Sequence, residues 1–279
     1  MLNFWPATGS MPSSSGFRRK VIAEQMIPSF DAVAPTFERY RALPRGVPEA
    51  IRSAILEATR NQPPARVLDL GAGTGRIGKA FVAADDFYVG VDASLRMLQE
   101  FLLSTRRPCL AQADGQRLPF RDGAFDVVML MQVLGGAGNW RGLLSEARRL
   151  LRPEGAVVVG HRVAPADGVD AQLKKRLAAI LETMGVQRHQ GKQVRDQALA
   201  WLGSSAAPRL SLRAATWERN PTPREFLVRH RTGARFAALP DVVRDEALQK
   251  LSVWAEKTFG SLDAASREEH SYEIDVYRF

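Results

Sequence analysis

The sequence predicts a doubly wound α/β fold built on a mostly parallel, seven-stranded sheet with helices on both faces. Three observations carry this reading. Short apolar runs alternate with amphipathic stretches from Arg66 to His161. A glycine-rich loop follows the first of those runs directly. The last nine residues, SYEIDVYRF, alternate in the manner of a strand. Strands that alternate with helices form parallel sheets through right-handed crossovers.

The elements follow in order. Mixed apolar and charged sequence from Phe17 to Arg41 predicts one or two short helices broken at Pro28, and Ile51 to Arg60 a further helix ended by Pro63-Pro64. Arg66–Leu70 is a strand, Arg76–Ala84 a helix and Phe87–Asp92 a second strand. Ser94 is placed to cap a helix over Leu95–Leu103, with Leu95, Leu98 and Leu102 on one face. Pro108–Ala113 is a third strand, and Phe125–Met131 a fourth, apolar throughout, as a strand buried on both faces is. Trp140–Leu151 is a helix, ended by Pro153 and Gly155, and Ala156–His161 a fifth strand. Beyond it come helices at Val169–Gly185 and Val194–Leu202 and a strand at Leu210–Glu218. A helical stretch, Thr222–Phe259, is interrupted near Pro240 and precedes the terminal strand.

Composition narrows the function classes. At 279 residues and 45% hydrophobic, the chain has room for one large core, with or without an appendage. No run approaches about 18 apolar residues, so no membrane-spanning helix is expected. The N-terminus lacks a basic start followed by a long apolar stretch and reads as a loose tail over residues 1–16, not as a secretory signal. The single cysteine, Cys109, permits no intrachain disulfide and no cysteine-based metal cluster, and is expected as a small buried hydrophobe in a strand. A cytoplasmic setting fits. The formal net charge of +9 is scattered over predicted helix faces, with no helix-turn-helix, zinc-finger or RNP pattern, so nucleic acid is not the expected partner. No metal-ligand spacing stands out, and no metal is expected. Oligomeric state is not readable from the sequence.

The loop VLDLGAGTGRIG carries the chemistry: four glycines in the eight residues from Gly71 to Gly78. From Gly73 it reads G-x-G-x-x-G, the dinucleotide fingerprint. From Gly71 it reads G-x-G-x-G with Asp69 two residues ahead. A dinucleotide sets its pyrophosphate at the helix N-terminus, where nearby negative charge is unwelcome. S-adenosylmethionine (SAM) has no phosphate; it carries an ammonium group and a cationic sulfur, for which a carboxylate at the loop mouth is useful. Asp92 closes the second strand, where a carboxylate accepts from ribose hydroxyls of either cofactor. Asp114 follows the third strand, where an acceptor reaches an adenine amino group.

The segments RVLDLGAGTGR, GVDAS, ADGQRLPFRDGAFDVV and LLSEARRLLRPEGAVVV resemble the class I SAM-dependent methyltransferases, nearest to the small-molecule group called type 11. The resemblance is strong from about Arg66 to Val159. It implies a Rossmann-like methyltransferase fold whose terminal strand runs antiparallel at the sheet edge, with SAM as cofactor and S-adenosylhomocysteine (SAH) as product. It implies that Asp69, Gly71, Ala72, Gly73 and Gly75 hold the amino acid end of SAM, and that Asp92 binds the ribose with Ala93 and Met97 beside it. Asp114 and Gly115 border the adenine, and Gln132 faces the methionine part or the substrate. The implied organisation is an N-terminal helical lid over 17–62, then a SAM-binding domain over 63–279 with helical insertions at about 164–208 and 221–269.

Methyl transfer from a sulfonium needs chiefly an oriented nucleophile, and a base only where that nucleophile starts protonated. His161, ending the fifth strand on the ligand side of the sheet, is the candidate catalytic residue. Phe30 and Tyr40 in the N-terminal segment and His230 in REFLVRHRTGARF are the candidate substrate contacts. The leading reading is methyl transfer to an O, N or C nucleophile of a small organic acceptor. Three others stay open on sequence: an RNA or protein methyltransferase, a non-catalytic SAM-binding protein, and an NAD-dependent oxidoreductase.

Overall fold

The computed structural model of the chain describes residues 30–31, 33–187, 190–206, 209–231 and 233–279. The tail expected over 1–16, the start of the expected lid and His189 lie outside the described residues. Ahead of the sheet stand α1 (Ala34–Arg41) and α2 (Val47–Thr59). The wound unit then runs β1 (Arg66–Leu70), α3 (Gly78–Ala83), β2 (Phe87–Asp92), α4 (Leu95–Ser104), β3 (Cys109–Gln112), β4 (Phe125–Met131), α5 (Trp140–Leu150) and β5 (Leu151–Val163). It is followed by α6 (Val169–Thr183), α7 (Gly191–Ser205), β6 (Leu210–Arg219), α8 (Pro223–Arg231), α9 (Ala234–Ala237), α10 (Asp241–Phe259) and β7 (Glu268–Arg278).

The seven strands pair in the order β3-β2-β1-β4-β5-β7-β6. All seven residues of β4 are buried, which is why Val127–Met131 are apolar without alternation; the one charged residue, Asp126, accepts from Arg66 N–H at 2.9 Å. Strand order reverses between β1 and β4, so the loops leaving their C-terminal ends diverge and open a crevice. The two sheet faces bury separate cores. On one, Val67, Met129, Val158 and Tyr272 meet Ile51 and Ile55 of α2, Phe81 of α3 and Phe101 of α4. On the other, Leu68, Val128, Val157 and Tyr277 meet Leu144 and Leu150 of α5 and Leu202 of α7. A third core joins α6, α8 and α10 through Leu173, Leu177, Phe226 and Leu251. Among the described residues no helix is long and apolar enough to cross a membrane.

Several expectations need correction. The antiparallel β7 is not the sheet edge: it lies between β5 and β6, antiparallel to both, and β6 is the edge. β7 buries residues on both faces, Tyr272, Ile274 and Val276 on one and Tyr277 on the other, which an edge position would waste. Cys109 lies in a strand but is exposed, because β3 is the opposite edge and is poorly covered. On α4 the buried residues are Met97, Leu98 and Phe101, whereas Leu95 and Leu102 are 48% and 53% exposed. β5 begins at Leu151, so Pro153 and Gly155 lie within the strand, beside a register irregularity between Phe125 and Val127. The helical stretch 222–259 is three helices. Two segments expected as lid or insertion are instead sheet layers: α2 packs its Ile51 and Ile55 into one core, and α7 packs Ala198 and Leu202 into the other.

Candidate active site

The glycine loop leaves β1 at Leu70 and turns beneath the end of β2: the N–H groups of Gly71 and Ala72 both donate to Val91 O, at 2.8 and 3.0 Å. Gly71 has φ +83°, and a Cβ there would lie 2.4 Å from Val133 Cγ2, so this glycine lets the β1 and β4 loops touch. Gly73 has φ +56°, and a Cβ there would meet nothing within 4 Å. The loop is therefore packed from below at Gly71 and bare at Gly73.

Two carboxylates flank that bare surface. Asp69 is 2% exposed; its Oδ2 accepts from Tyr88 Oη at 2.8 Å, and its Oδ1 is buried with no partner. Burial pushes its pKa up to about 7, against the Tyr88 hydrogen bond and with the charge of Asp92 adding. Asp92 accepts from Gly73 N–H at 2.9 Å through Oδ2 and from Ser94 N–H at 2.8 Å through Oδ1. Burial raises the Asp92 pKa, and those backbone bonds hold it down. Two such bonds leave further lone pairs for ribose hydroxyls. Ser94 caps α4 as expected, its side chain accepting from Met97 N–H at 3.2 Å.

Helix α1 sits on this loop. Glu38 accepts from Thr74 Oγ1 at 2.7 Å and pairs with Lys79 at 3.3 Å. Arg76 donates to Arg41 O at 3.1 Å and to the Gln132 side-chain oxygen. Ser94 Oγ donates to Asp31. Met97 is buried against Val33 and Ala34 of this segment, which makes it a packing residue.

The remaining predicted residues are spread unevenly. Ala93 is exposed beside Asp92. Asp114 is exposed and accepts from Gln116 N–H at 3.0 Å, while a Cβ on Gly115 would lie 2.7 Å from Leu143. Gln132 has φ +63° and its N–H donates to Gly160 O at 2.9 Å, which aims its side chain off the end of β4. Phe30 packs edge-on against Phe37, 6.4 Å between centroids, and is 48% exposed. Tyr40 is part-buried on α1. His230 is stacked on Phe226 at 3.7 Å with its Nδ1 3.1 Å from Phe226 O, and burial lowers its pKa to about 3. Phe30, Tyr40 and His230 do not line the cavity described next.

That cavity, of about 390 Å³, opens at the C-terminal ends of β4 and β5. Gln132, Val133, Leu134, Val159 and His161 line it from the sheet, and Lys192 and Arg195 from α7. Burial, then the nearby Arg195 charge, lowers the His161 pKa, while Glu273 and Asp275 on β7 pull the other way. His161 is therefore a neutral imidazole at pH 7, able to accept a proton. Lys192 and Arg195 were not legible in the sequence, because they reach the cavity from a helix far downstream. Asp31 and Glu38 were missed because they reach the site from an upstream segment, and Arg76, inside the glycine loop itself, because its partners Arg41 and Gln132 are distant in sequence. Tyr88 was legible in principle, since it shares a sheet face with Asp69 on the neighbouring strand.

A bare glycine turn lies at the switch point of a doubly wound sheet, with one buried and one rim carboxylate and a cavity of about 390 Å³ beside it, an arrangement with room for a small cofactor and an acceptor. Its acceptors suit a cationic ligand better than a pyrophosphate: Asp69, two residues ahead of the turn, has a buried Oδ1 without a partner, and a carboxylate near the turn is unwelcome to a phosphate. Comparisons with known proteins agree. Residues 68–159 match the family model described as a methyltransferase domain of type 11. A demethylmenaquinone methyltransferase of Parafrankia sp. is 29% identical over 233 residues, covering 74% of this chain and 91% of that protein. One from Beutenbergia cavernae is 39% identical over 140 residues, covering 49% of this chain and 57% of the relative. The YcgJ protein of Bacillus subtilis shares the fold, with a TM-score of 0.52 and 17% identity over 82% of this chain and 98% of that one. Residues 68–159 form a class I SAM-dependent methyltransferase domain of the type 11 group, and the wound sheet around them has the fold of such proteins.

Proposed function

We propose that this enzyme methylates a small organic molecule held in the cavity at the ends of β4 and β5. The observation that carries the reading is adjacency. The cavity wall includes Gln132 and Val133, and Val133 is the residue that touches Gly71 of the cofactor loop. Acceptor and cofactor sites would thus share a wall.

In this reading SAM, when bound, supplies a methyl group on a sulfonium, already a good electrophile. The chain's own residues bind, orient and exclude water. Asp69, Gly71, Ala72, Gly73 and Gly75 hold the amino acid end, the carboxylate of Asp69 facing its positive charge. Asp92 takes the ribose between Ala93 and Met97, Asp114 and Gly115 border the adenine, and Gln132 faces the methionine part. Helix α1, tied to the loop through Glu38 and Arg41, serves as the lid. Neutral His161 orients the acceptor and takes its proton where it carries one, and fixing the two reactants in line contributes most of the rate.

Calorimetric titration with SAM, SAH and NAD tests the loop. Binding of SAM and SAH with none of NAD is expected, and Asp92→Ala is expected to lower SAH affinity by at least about tenfold through loss of charge-assisted hydrogen bonds. Unchanged SAH affinity in that variant would overturn the site assignment.

A further inference from the structure

The cavity has a charge pattern of its own. Its charged lining residues are Arg162, Lys192 and Arg195, with no aspartate or glutamate among them. Arg162 is engaged elsewhere: its guanidinium donates to Asp170 at 3.3 Å and to His270 Nδ1 at 3.2 Å. Lys192 and Arg195 are left. Lys192 has no ion pair among the described residues. Arg195 has only its exposed neighbour Asp196, at 3.7 Å, and its Nε is buried without a hydrogen-bond partner. A buried guanidinium N–H with no acceptor is costly unless a ligand supplies one. The two carboxylates whose charges act on His161 lie outside the lining. Glu273 pairs across the strand from His161, and Asp275 is occupied by Ser211 Oγ and Arg209.

The rest of the wall is apolar, from Val133, Leu134 and Val159. We infer that this cavity recognises a small organic anion, an apolar body carrying a carboxylate or phosphate group, with Arg195 and Lys192 binding the anionic group. The inference rests on the methyltransferase reading above and adds the substrate's charge class. Arg195 also accounts for part of the lowered basicity of His161, which places its charge within reach of the imidazole. An anion bound between them would screen that charge and leave His161 a better proton acceptor when substrate is present.

Benzoate, phenyl phosphate and neutral benzamide, titrated into SAH-saturated protein at constant ionic strength, test this. One or both anions should bind at least about tenfold more tightly than benzamide, the advantage expected of a charge-assisted hydrogen bond. Preference between the two anions separates a carboxylate from a phosphate acceptor. Arg195→Gln and Lys192→Gln should remove most of the advantage while SAH affinity stays unchanged, and Arg195→Lys should keep part of it. Equal binding of benzamide and the anions, binding of none of them, or full anion affinity in both glutamine variants would overturn the proposal. Failure of the wild-type protein to bind SAH at all would instead sink the reading it rests on.

Discussion

Asp69 is the residue in which fold and cofactor make opposite demands. Its carboxyl is buried beside Asp92, and one oxygen has no partner, so its pKa stands near 7 where an unfolded aspartate titrates near 4. The folded chain therefore holds more protons than the unfolded chain across that interval. The stability that Asp69 contributes is full below about pH 4 and is lost as pH rises through 7. Asp69→Asn should accordingly raise the melting temperature of the cofactor-free protein at pH 8 and change it little at pH 4; a lower value at pH 8 would refute the argument. A cation arriving at Asp69 favours the carboxylate, so at pH 7 SAM binding should release about half a proton. Calorimetry in buffers of different ionisation enthalpy reads this, and Asp69→Asn should abolish the buffer dependence. His161 has the opposite sign. Burial and Arg195 outweigh Glu273 and Asp275 and lower its pKa, so the neutral base persists to pH values below the usual histidine range. If the acceptor starts protonated, kcat should be flat above about pH 6.5 and fall only below it, and His161→Asn should cost about 100-fold in kcat with SAH affinity intact. A kcat limb centred above pH 7 would assign the base to another group.

Among the elements, α1 is the one whose attachment is polar and slight. It holds the glycine loop by Glu38 to Thr74 and Lys79 and by Arg76 to the Arg41 carbonyl, with apolar packing of Val33 and Ala34 on Met97. Such part-exposed pairs are worth about 0.2–1 kcal/mol each. Glu38→Ala should therefore speed SAH dissociation about two- to fivefold, as read by stopped-flow displacement, with little change in melting temperature. Unaltered release would show that α1 does not gate the cofactor. Elements were legible in the sequence in proportion to how local their causes are. β4 announces itself by five consecutive apolar residues, Val127–Met131, and the glycine turn by glycines that a touching loop and an open face require. The face of α4 was misjudged because three leucines at helical spacing outweighed Met97 and Phe101, and only the position of the sheet and of α1 decides which stripe is inside.

At the scale of the molecule, what stayed hidden is pairing between distant segments. Nothing in SYEIDVYRF says that it enters between β5 and β6, and nothing local to α7 says that Lys192 and Arg195 complete a cavity on β4 and β5. The same long-range logic fixes the helices after β5. Asp170 at the start of α6 receives Arg229 of α8 at 2.6 Å and Arg162 of β5 at 3.3 Å. Arg162 continues to His270, and His270 to Glu268 at 2.9 Å, both on β7. Glu268 in turn accepts from Val169 N–H at 2.6 Å and so returns to α6. This closed circuit joins the third core to the sheet, and it is buried: Asp170 is 4% exposed and Arg229 8%. Burial acts most strongly on Asp170 and would raise its pKa, but the charges of Arg229, Arg162 and Lys174 and the Arg229 hydrogen bond together outweigh it and hold the carboxylate ionised. Removing it leaves the buried cations opposed to one another. Asp170→Ala should therefore destabilise the protein by about 3 kcal/mol, the loss expected when one partner of a buried ion pair is deleted. Because the circuit touches the cavity only through Arg162 and does not run through the glycine loop, the folded fraction should keep its SAH affinity. Chemical denaturation read alongside SAH titration checks both halves: a loss below about 1 kcal/mol would make the circuit a surface-type pairing, whose typical worth is no larger.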